Sequence, residues 1–363
     1  MDKSYISEII LNNFRNYSSK KVNFNDKYNI IIGNNGVGKT NILEALSLFS
    51  NSRGLRNATN EELGNLNRSC PFLPEDIMYS LSLRFFNDDK INLIQKNDKK
   101  ILKINDEIIK KMSFLNNFLN ITFLTPQMDS FFTDTSTNRR KFLDKTAEIL
   151  FNEHCENVKK YEFFVKERMK ILLEQHFDEK WLDIIEKKIA ELGVNIAGVR
   201  NEVIELLNKI FVNFTNNFPT GEISIAGEIE EMLMVKKSIE VEEFFLRQLR
   251  KNRLIDAQSK RFALGIHRSD MLIFNSKKNM KANLCSTGEQ KMLLISLIFV
   301  KCIFSKQYGG GTPILLLDEI CSHLDEETKN KFFEELKYLA IQTFITGIRR
   351  EDFTYLTDNF IEL

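Results

Sequence analysis

The octet Gly33-Asn34-Asn35-Gly36-Val37-Gly38-Lys39-Thr40 has residue types and spacing suited to holding phosphate. Glycines at its first and sixth positions let the backbone wrap closely around phosphate oxygens, with N–H groups turned inward. Lys39 can reach the β- and γ-phosphates, and the Thr40 hydroxyl can ligate Mg²⁺. A second pair, Asp318-Glu319, follows four aliphatic residues, Ile314-Leu315-Leu316-Leu317. Asp318 can hold the same metal, directly or through water, and Glu319 can take a proton from an attacking water. A third group, Ser286-Thr287-Gly288-Glu289-Gln290-Lys291, opens an apolar segment. Its Ser286 and Glu289 have capping-box spacing, and the helix end that they cap can also meet an anion.

These residues need elements to carry them. Tyr28–Ile32 reads as a buried strand, and an apolar-periodic helix follows from about Thr40, so the glycine loop lies between strand and helix. The helix dipole then points its positive end at the phosphates. Ile314–Leu317 reads as a parallel strand buried on both faces, which delivers its acids to the carboxyl edge of a sheet. Residues 4–11, 77–86, 91–95, 101–104, 121–125 and 342–346 read as further strands, and 292–304 and 326–340 as helices. Gln127 follows the strand at 121–125, after Pro126. A long helical stretch is predicted from about 137 to 175, with a break at His176-Phe177-Asp178. In a second long helix Trp181, Ile185, Ile189, Leu192, Ile196, Val199, Val203, Leu206 and Ile210 recur every three or four residues. That helix would be roughly 45 Å long. Gly193 and Gly198 each weaken it by about 1 kcal/mol, so packing must hold it.

Composition excludes several classes. The 363 residues carry a net charge of +1, so a nucleic-acid surface has to be local. Arg53 and Arg56 form a small basic loop that reads equally as a nucleotide or nucleic-acid contact and as a solvated turn. The lysines at 96, 99, 100, 103, 110 and 111 read as a solvated face or a DNA contact. A basic helix is expected around Arg247, Arg250, Lys251 and Arg253, and Gly265-Ile-His-Arg-Ser-Asp270 is a polar cluster between apolar runs. The five cysteines, Cys70 among them, make no CxxC pair, and the four histidines are scattered. Reduced, mostly buried thiols in a cytoplasmic protein are expected, with no metal cluster. No run of 18 apolar residues is present, and Met-Asp-Lys-Ser at the start has no secretory character.

The phosphate loop, Gln127, Ser-x-Gly-Glu-Gln, Leu-Leu-Leu-Asp-Glu and Ser322-His-Leu-Asp325 stand in the order found in ABC-type ATPases. Leu11-x-x-Phe-Arg-Asn, Gly38-Lys-Thr-Asn-Ile-Leu-Glu-Ala, Arg139-Arg-x-Phe-Leu-Asp144 and Gly265-x-His-Arg-x-Asp270 make the resemblance more specific. Over nearly its whole length the chain resembles the RecF family of bacterial DNA replication and repair proteins.

The resemblance implies an α/β fold: a P-loop ABC-type ATPase head with mixed sheet, plus a helical second lobe carrying a short antiparallel hairpin. It divides the chain into 1–125 and 292–363 for the ATPase lobe and 126–291 for the helical lobe. It implies ATP and Mg²⁺ as cofactors, the metal held by Thr40, Gln127 and Asp318. Gly33 to Thr40 of one subunit would face Ser286 and Gly288 of another across ATP. Lys39, Gln127, Ser286 and Glu319 would carry catalysis, and Asp325 would lie at the dimer seam. The expected activity is ATP-induced dimerisation on duplex, gapped or single-stranded DNA, released by slow, DNA-dependent hydrolysis. RecO- and RecR-type partners would join it in loading recombinase and in the SOS response, with no membrane involved. The alternatives are the motor subunit of a membrane transporter, a long-armed chromosome ATPase, and a protein that uses ATP only as glue. Four positions depart from the family's usual pattern. Ile266 stands for a frequent proline and Ser269 for a frequent aspartate. Thr346-Gly347 stands where transporter relatives have a switch histidine, and Glu319 where many relatives have aspartate.

Overall fold

The computed structural model describes residues 4–65, 73–174, 178–214, 217–356 and 359–363. The expectations placed on Cys70 and on His176-Phe177 lie outside the described residues. The chain begins with β1 (Ile6–Phe14), β2 (Tyr17–Asn23) and β3 (Tyr28–Ile32), then α1 (Lys39–Ser47) and the single-turn α2 (Asn60–Leu63). Strands β4 (Ile77–Phe85), β5 (Lys90–Lys96), β6 (Lys99–Ile104), β7 (Glu107–Ile109) and β8 (Leu119–Leu124) follow. Next come α3 (Ser136–Leu150), α4 (His154–Leu172), α5 (Glu179–Asn213), β9 (Gly221–Ala226), α6 (Glu228–Leu233), α7 (Ser238–Lys251) and α8 (Arg253–Ser259). The last part holds β10 (Asp270–Asn275), β11 (Met280–Lys281), α9 (Thr287–Tyr308), β12 (Thr312–Leu317), α10 (Glu326–Leu339), β13 (Gln342–Gly347) and β14 (Asn359–Glu362).

Two compact units result. The first comprises residues 1–129, 215–218 and 297–363, and the second 130–214 and 219–296. In the first unit, parallel and antiparallel strands are sorted into separate sheets. An antiparallel sheet has the order β2-β1-β4-β5-β6-β7, and a wholly parallel one the order β14-β3-β13-β12-β8. Strands β3 and β12 carry continuous apolar runs, Ile30–Ile32 and Ile314–Leu317, because both their faces are covered. One core joins the sheets to α1: Ile9, Leu81 and Leu93 from the first, Ile31, Leu316 and Phe344 from the second, and Ile42 and Leu46 from the helix. Each such side chain is worth roughly 1.5–3 kcal/mol of transfer from water.

The second unit is mainly helical, with the small sheet β11-β10-β9. Arg168 on α4 pairs with Glu186 on α5, and Tyr161 meets Gly193, so the two helices run antiparallel as the expected hairpin. Asp178 caps α5 by accepting from the Lys180 and Trp181 N–H groups at 2.9 and 3.2 Å. Two expectations need correction, and one strand lay outside them. The helix drawn from 137 to 175 is two helices, α3 and α4, broken at Phe151-Asn152-Glu153 with neither glycine nor proline to mark the place. Trp181 is 52% exposed and its neighbour Leu182 is buried instead, so the seam of α5 is rotated at its start. The hairpin partner β2, rich in polar residues with only Val22 buried, was not foreseen.

Candidate functional site: a phosphate loop, two acids and a threonine

The carboxyl ends of the parallel strands are in register. Gly347 lies opposite Ile32, and Leu317 opposite both Ile345 and Leu124. The first unit therefore gathers at one edge the segments that follow β3, β12 and β8, namely Gly33–Thr40, Asp318-Glu319 and Gln127, with Thr346 at the end of β13 itself.

In the glycine loop, Gly36 and Gly38 have φ of +84° and +115°, in the left-handed region that side chains avoid. A Cβ on Gly38 would also lie 2.4 Å from the Tyr17 hydroxyl. Asn34, Asn35 and Gly36 are exposed, and the Lys39 stem is buried. The Lys39 ammonium donates to the carbonyls of Gly33 and Asn34 at 2.7 and 3.0 Å. A cation held by carbonyl dipoles alone keeps its full charge for an incoming anion.

The two predicted acids diverge in role. Asp318 is buried, and its Oδ1 accepts from the Thr40 hydroxyl at 3.0 Å. A hydroxyl oxygen and a carboxylate so close together form a hard-oxygen donor set, which suits a divalent cation such as Mg²⁺. Glu319 is half-buried with φ of +50°. Its N–H donates to the Thr346 hydroxyl oxygen at 2.9 Å, while that hydroxyl donates to Asp318 Oδ1 at 2.8 Å. Gln127 lies in the exposed turn after β8, which closes one edge of the parallel sheet.

Glu44, Arg15 and Asn16, which have no assigned role from the sequence, support the loop, and Arg56 of the basic loop joins them. Glu44 on α1 is almost wholly buried, and both its oxygens accept from Arg15 at 2.7 Å. Arg56 adds a longer contact to Glu44 at 3.4 Å and donates to Asn41. Asn16 donates to the Val37 carbonyl at 3.2 Å and accepts from Asn41 at 2.8 Å. The Arg15-Asn16 turn between β1 and β2 thus braces the phosphate loop and its helix, and Arg56 is drawn into an ion pair. The sequence signal was the pairing of Phe-Arg-Asn with a glutamate one turn into the loop helix.

The second unit places Ser286, Thr287 and Gly288 in exposed positions at the start of α9. The Ser286 N–H donates to Glu289 Oε2 at 3.1 Å, one arm of the expected capping box, and Lys278 also pairs with that glutamate. A Cβ on Gly288 would meet nothing within 4 Å, so the helix end is open to a large partner. In the first unit, Asp325 caps α10 by accepting the Thr328 N–H at 2.9 Å, which holds its carboxyl below the usual range. The side chains of Ser322 and His323 lie outside the described residues.

The remaining motif residues meet one another in the second unit. Arg139 pairs with both oxygens of Asp270 at 2.7 and 2.8 Å. The buried Arg200 binds both oxygens of Asp144 at 2.9 and 3.0 Å, Glu230 at 3.1 Å and the Ile266 carbonyl. His154 bonds Asp144, and the Ser269 hydroxyl donates to Glu230 at 2.6 Å. His267 stacks on Phe262 at 4.8 Å. Its pKa is lowered, first by burial, so the ring stays neutral in this packing. The expected basic helix is two, α7 carrying Arg250 and α8 carrying Arg253, parted at Asn252; Arg250 and Arg253 reach Asp183, and Arg253 reaches Glu186. Among the described residues no group of three or more acidic, histidine or cysteine side chains forms a metal cluster.

A strand–loop–helix phosphate cradle facing an aspartate–glutamate strand end, with a capped Ser-x-Gly helix on the same chain, defines an ATPase head of the ABC and SMC class. The chain belongs to the RecF/RecN/SMC N-terminal domain family, whose model matches residues 5–362. It is 35% identical over 352 residues to the "DNA replication and repair protein RecF" of Rickettsia canadensis, covering 97% of this chain and 96% of that one. Identity to the protein of the same name from Rickettsia akari is 34% over 351 residues, with the same shares covered. Among solved structures, it resembles "the recombination mediator protein RecF-ATPrS in RecFOR pathway" with a TM-score of 0.86 and 25% identity, over 100% and 96% of the two chains. A Pyrococcus furiosus Smc head domain with extended coiled coil shares the fold alone, at a TM-score of 0.55 and 17% identity over 99% and 93%.

Proposed function

We propose that the chain is an ATP-dependent DNA-binding protein of replication and recombinational repair, in which ATP joins two copies over DNA and hydrolysis parts them. The observation that carries this reading is the Thr40–Asp318 contact of 3.0 Å, which joins a phosphate cradle to a metal-binding carboxylate. The RecF relatives supply its setting, and they give no support to the transporter-motor alternative. The first unit serves as nucleotide lobe and the second as helical lobe.

In this mechanism the N–H groups of Gly33 to Gly38 bind phosphate oxygens, and Lys39 exchanges its two carbonyl partners for the β- and γ-phosphates. Thr40, Asp318 and Gln127 would hold Mg²⁺, which would supply positive charge to offset that of the phosphates. Glu319 accepts the proton of the attacking water. Ser286 and Gly288 of a second copy meet the γ-phosphate from outside, their exposure leaving room for it, and Asp325 belongs to the seam between the two copies. RecO- and RecR-type proteins are the expected partners. Lysine and arginine contacts to phosphate make DNA binding fall steeply with salt.

Sedimentation with ATP tests the reading. The natural sequence is expected to dimerise, and Ser286→Arg, which adds bulk and positive charge at an exposed helix end, is expected to stay monomeric. A Ser286→Arg protein that dimerises normally would overturn the two-copy arrangement.

A further inference from the structure

We propose that Thr346 is a positioning residue for hydrolysis, its hydroxyl fixing Asp318 and Glu319 together in the arrangement that a magnesium–nucleotide complex requires. This rests on the nucleotide reading above. Thr346 is fully buried at the end of β13, the strand between β3 and β12. Its partner in register on β3 is Ile31, two residues before the glycine loop. The residue thus stands between the strand that feeds the phosphate cradle and the strand that feeds the acids.

The hydroxyl both donates and accepts. Its proton goes to Asp318 Oδ1 at 2.8 Å, and its oxygen accepts the Glu319 N–H at 2.9 Å. The first bond, with the one from Thr40 at 3.0 Å, places two donors on the same carboxylate oxygen and so fixes the rotation of the carboxyl group. The second holds a residue whose φ of +50° is unusual for a side chain as large as glutamate. Such a backbone persists only where its surroundings over-determine it, and the Thr346 oxygen contributes one bond to that end. The strand end packs closely, since a Cβ on Gly347 would lie 2.3 Å from the buried Phe353 ring. Threonine meets these demands at once: it is β-branched for a strand, and its hydroxyl both donates and accepts.

Thr346→Val keeps the shape and removes both bonds, whereas Thr346→Ser keeps both bonds. The experiment titrates a fluorescent ATP analogue with and without Mg²⁺, alongside steady-state ATP turnover and thermal unfolding. For Thr346→Val, binding in chelator is expected to stay within about twofold of the natural protein. Its Mg²⁺ midpoint is expected to rise at least about tenfold and its kcat to fall about ten- to a hundredfold, the range for a bond to a charged group. Thr346→Ser is expected to recover most of both effects. Thr346→Ala carries the same expectation as valine should the valine protein fail to fold. Unchanged Mg²⁺ dependence and kcat in the folded valine or alanine protein would overturn the assignment. So would equal loss of binding in chelator, which marks a structural role, and so would a serine protein as defective as the valine one. A natural protein that binds no nucleotide under either condition would instead overturn the nucleotide reading, and this assignment with it.

Discussion

The polar residues of the phosphate site and those of the helical unit are equally conspicuous in the sequence but end in opposite situations. At the sheet edge, Lys39 bonds to carbonyls and Asp318 Oδ1 to hydroxyls, and among the described residues neither takes part in an ion pair. Both are left to meet a ligand. In the helical unit Arg200 faces Asp144 and Glu230, Arg168 faces Glu186 and Asp256, and Arg139 faces Asp270. There charge is compensated by charge, and what results is architecture. A charged motif is therefore read by what its partners leave unsatisfied.

Stability measurements can break this contrast. Arg200→Met is expected to cost about 3–5 kcal/mol of unfolding free energy, because Asp144 and Glu230 stay buried without their partner. Lys39→Met is expected to cost under about 1 kcal/mol, since only bonds to carbonyls are lost. Denaturant titration of both variants checks this, and similar losses would erase the distinction. Acid should reveal the next largest effect. Burial pushes the Asp144 carboxyl up, but Arg200 and the hydrogen bonds from His154 and Arg200 outweigh it and hold its pKa at about 2, against 3.8 for a free side chain. A depressed folded-state pKa contributes stability above the unfolded value, and the contribution is lost as pH falls from about 4 through about 2. Asp144→Asn should flatten that part of the stability–pH curve by about 2 kcal/mol. The smallest effects come from two helix glycines. A Cβ on Gly193 would lie 2.6 Å from the Phe245 ring, whereas one on Gly198 would meet nothing within 4 Å. Gly193→Ala is expected to destabilise by about 1–3 kcal/mol through overpacking. Gly198→Ala is expected to stabilise by about 0.5–1 kcal/mol, and thermal unfolding of the pair reads both signs.

Legibility followed the same division. The phosphate loop and the strand bearing Asp318 could be read directly, since each is a local pattern whose strand and turn context lies within a few residues. Pairings between distant residues could not: Arg139 and Asp270 are 131 positions apart, and no spacing rule joins them. The Gly265–Asp270 cluster consequently stood without a role until its partners were seen. Thr346 was noted only as a substitute for histidine, because its importance lies in two contacts to another strand end. Helix α5 was recognisable from its period, but Trp181 and Leu182 compete for the same face at its first turn, and tertiary packing chose the leucine. Strand β2 escaped notice because its polar residues, exposed on the sheet's edge, carry almost no alternation.

The order β14-β3-β13-β12-β8 has a bearing on how the molecule is made. Strands β3 and β8 emerge early from the ribosome, yet β12, which must lie between β13 and β8, emerges roughly 190 residues after β8. At ordinary elongation rates the delay is roughly 10–40 s. During that time two apolar strands have bare backbone edges, the form most prone to pair with a neighbouring nascent chain. The intervening helical segment, whose contacts are more local, is free to fold within the interval. Slowing translation upstream of residue 312 should therefore lower the soluble yield, and a chaperone that shields strand edges should restore it.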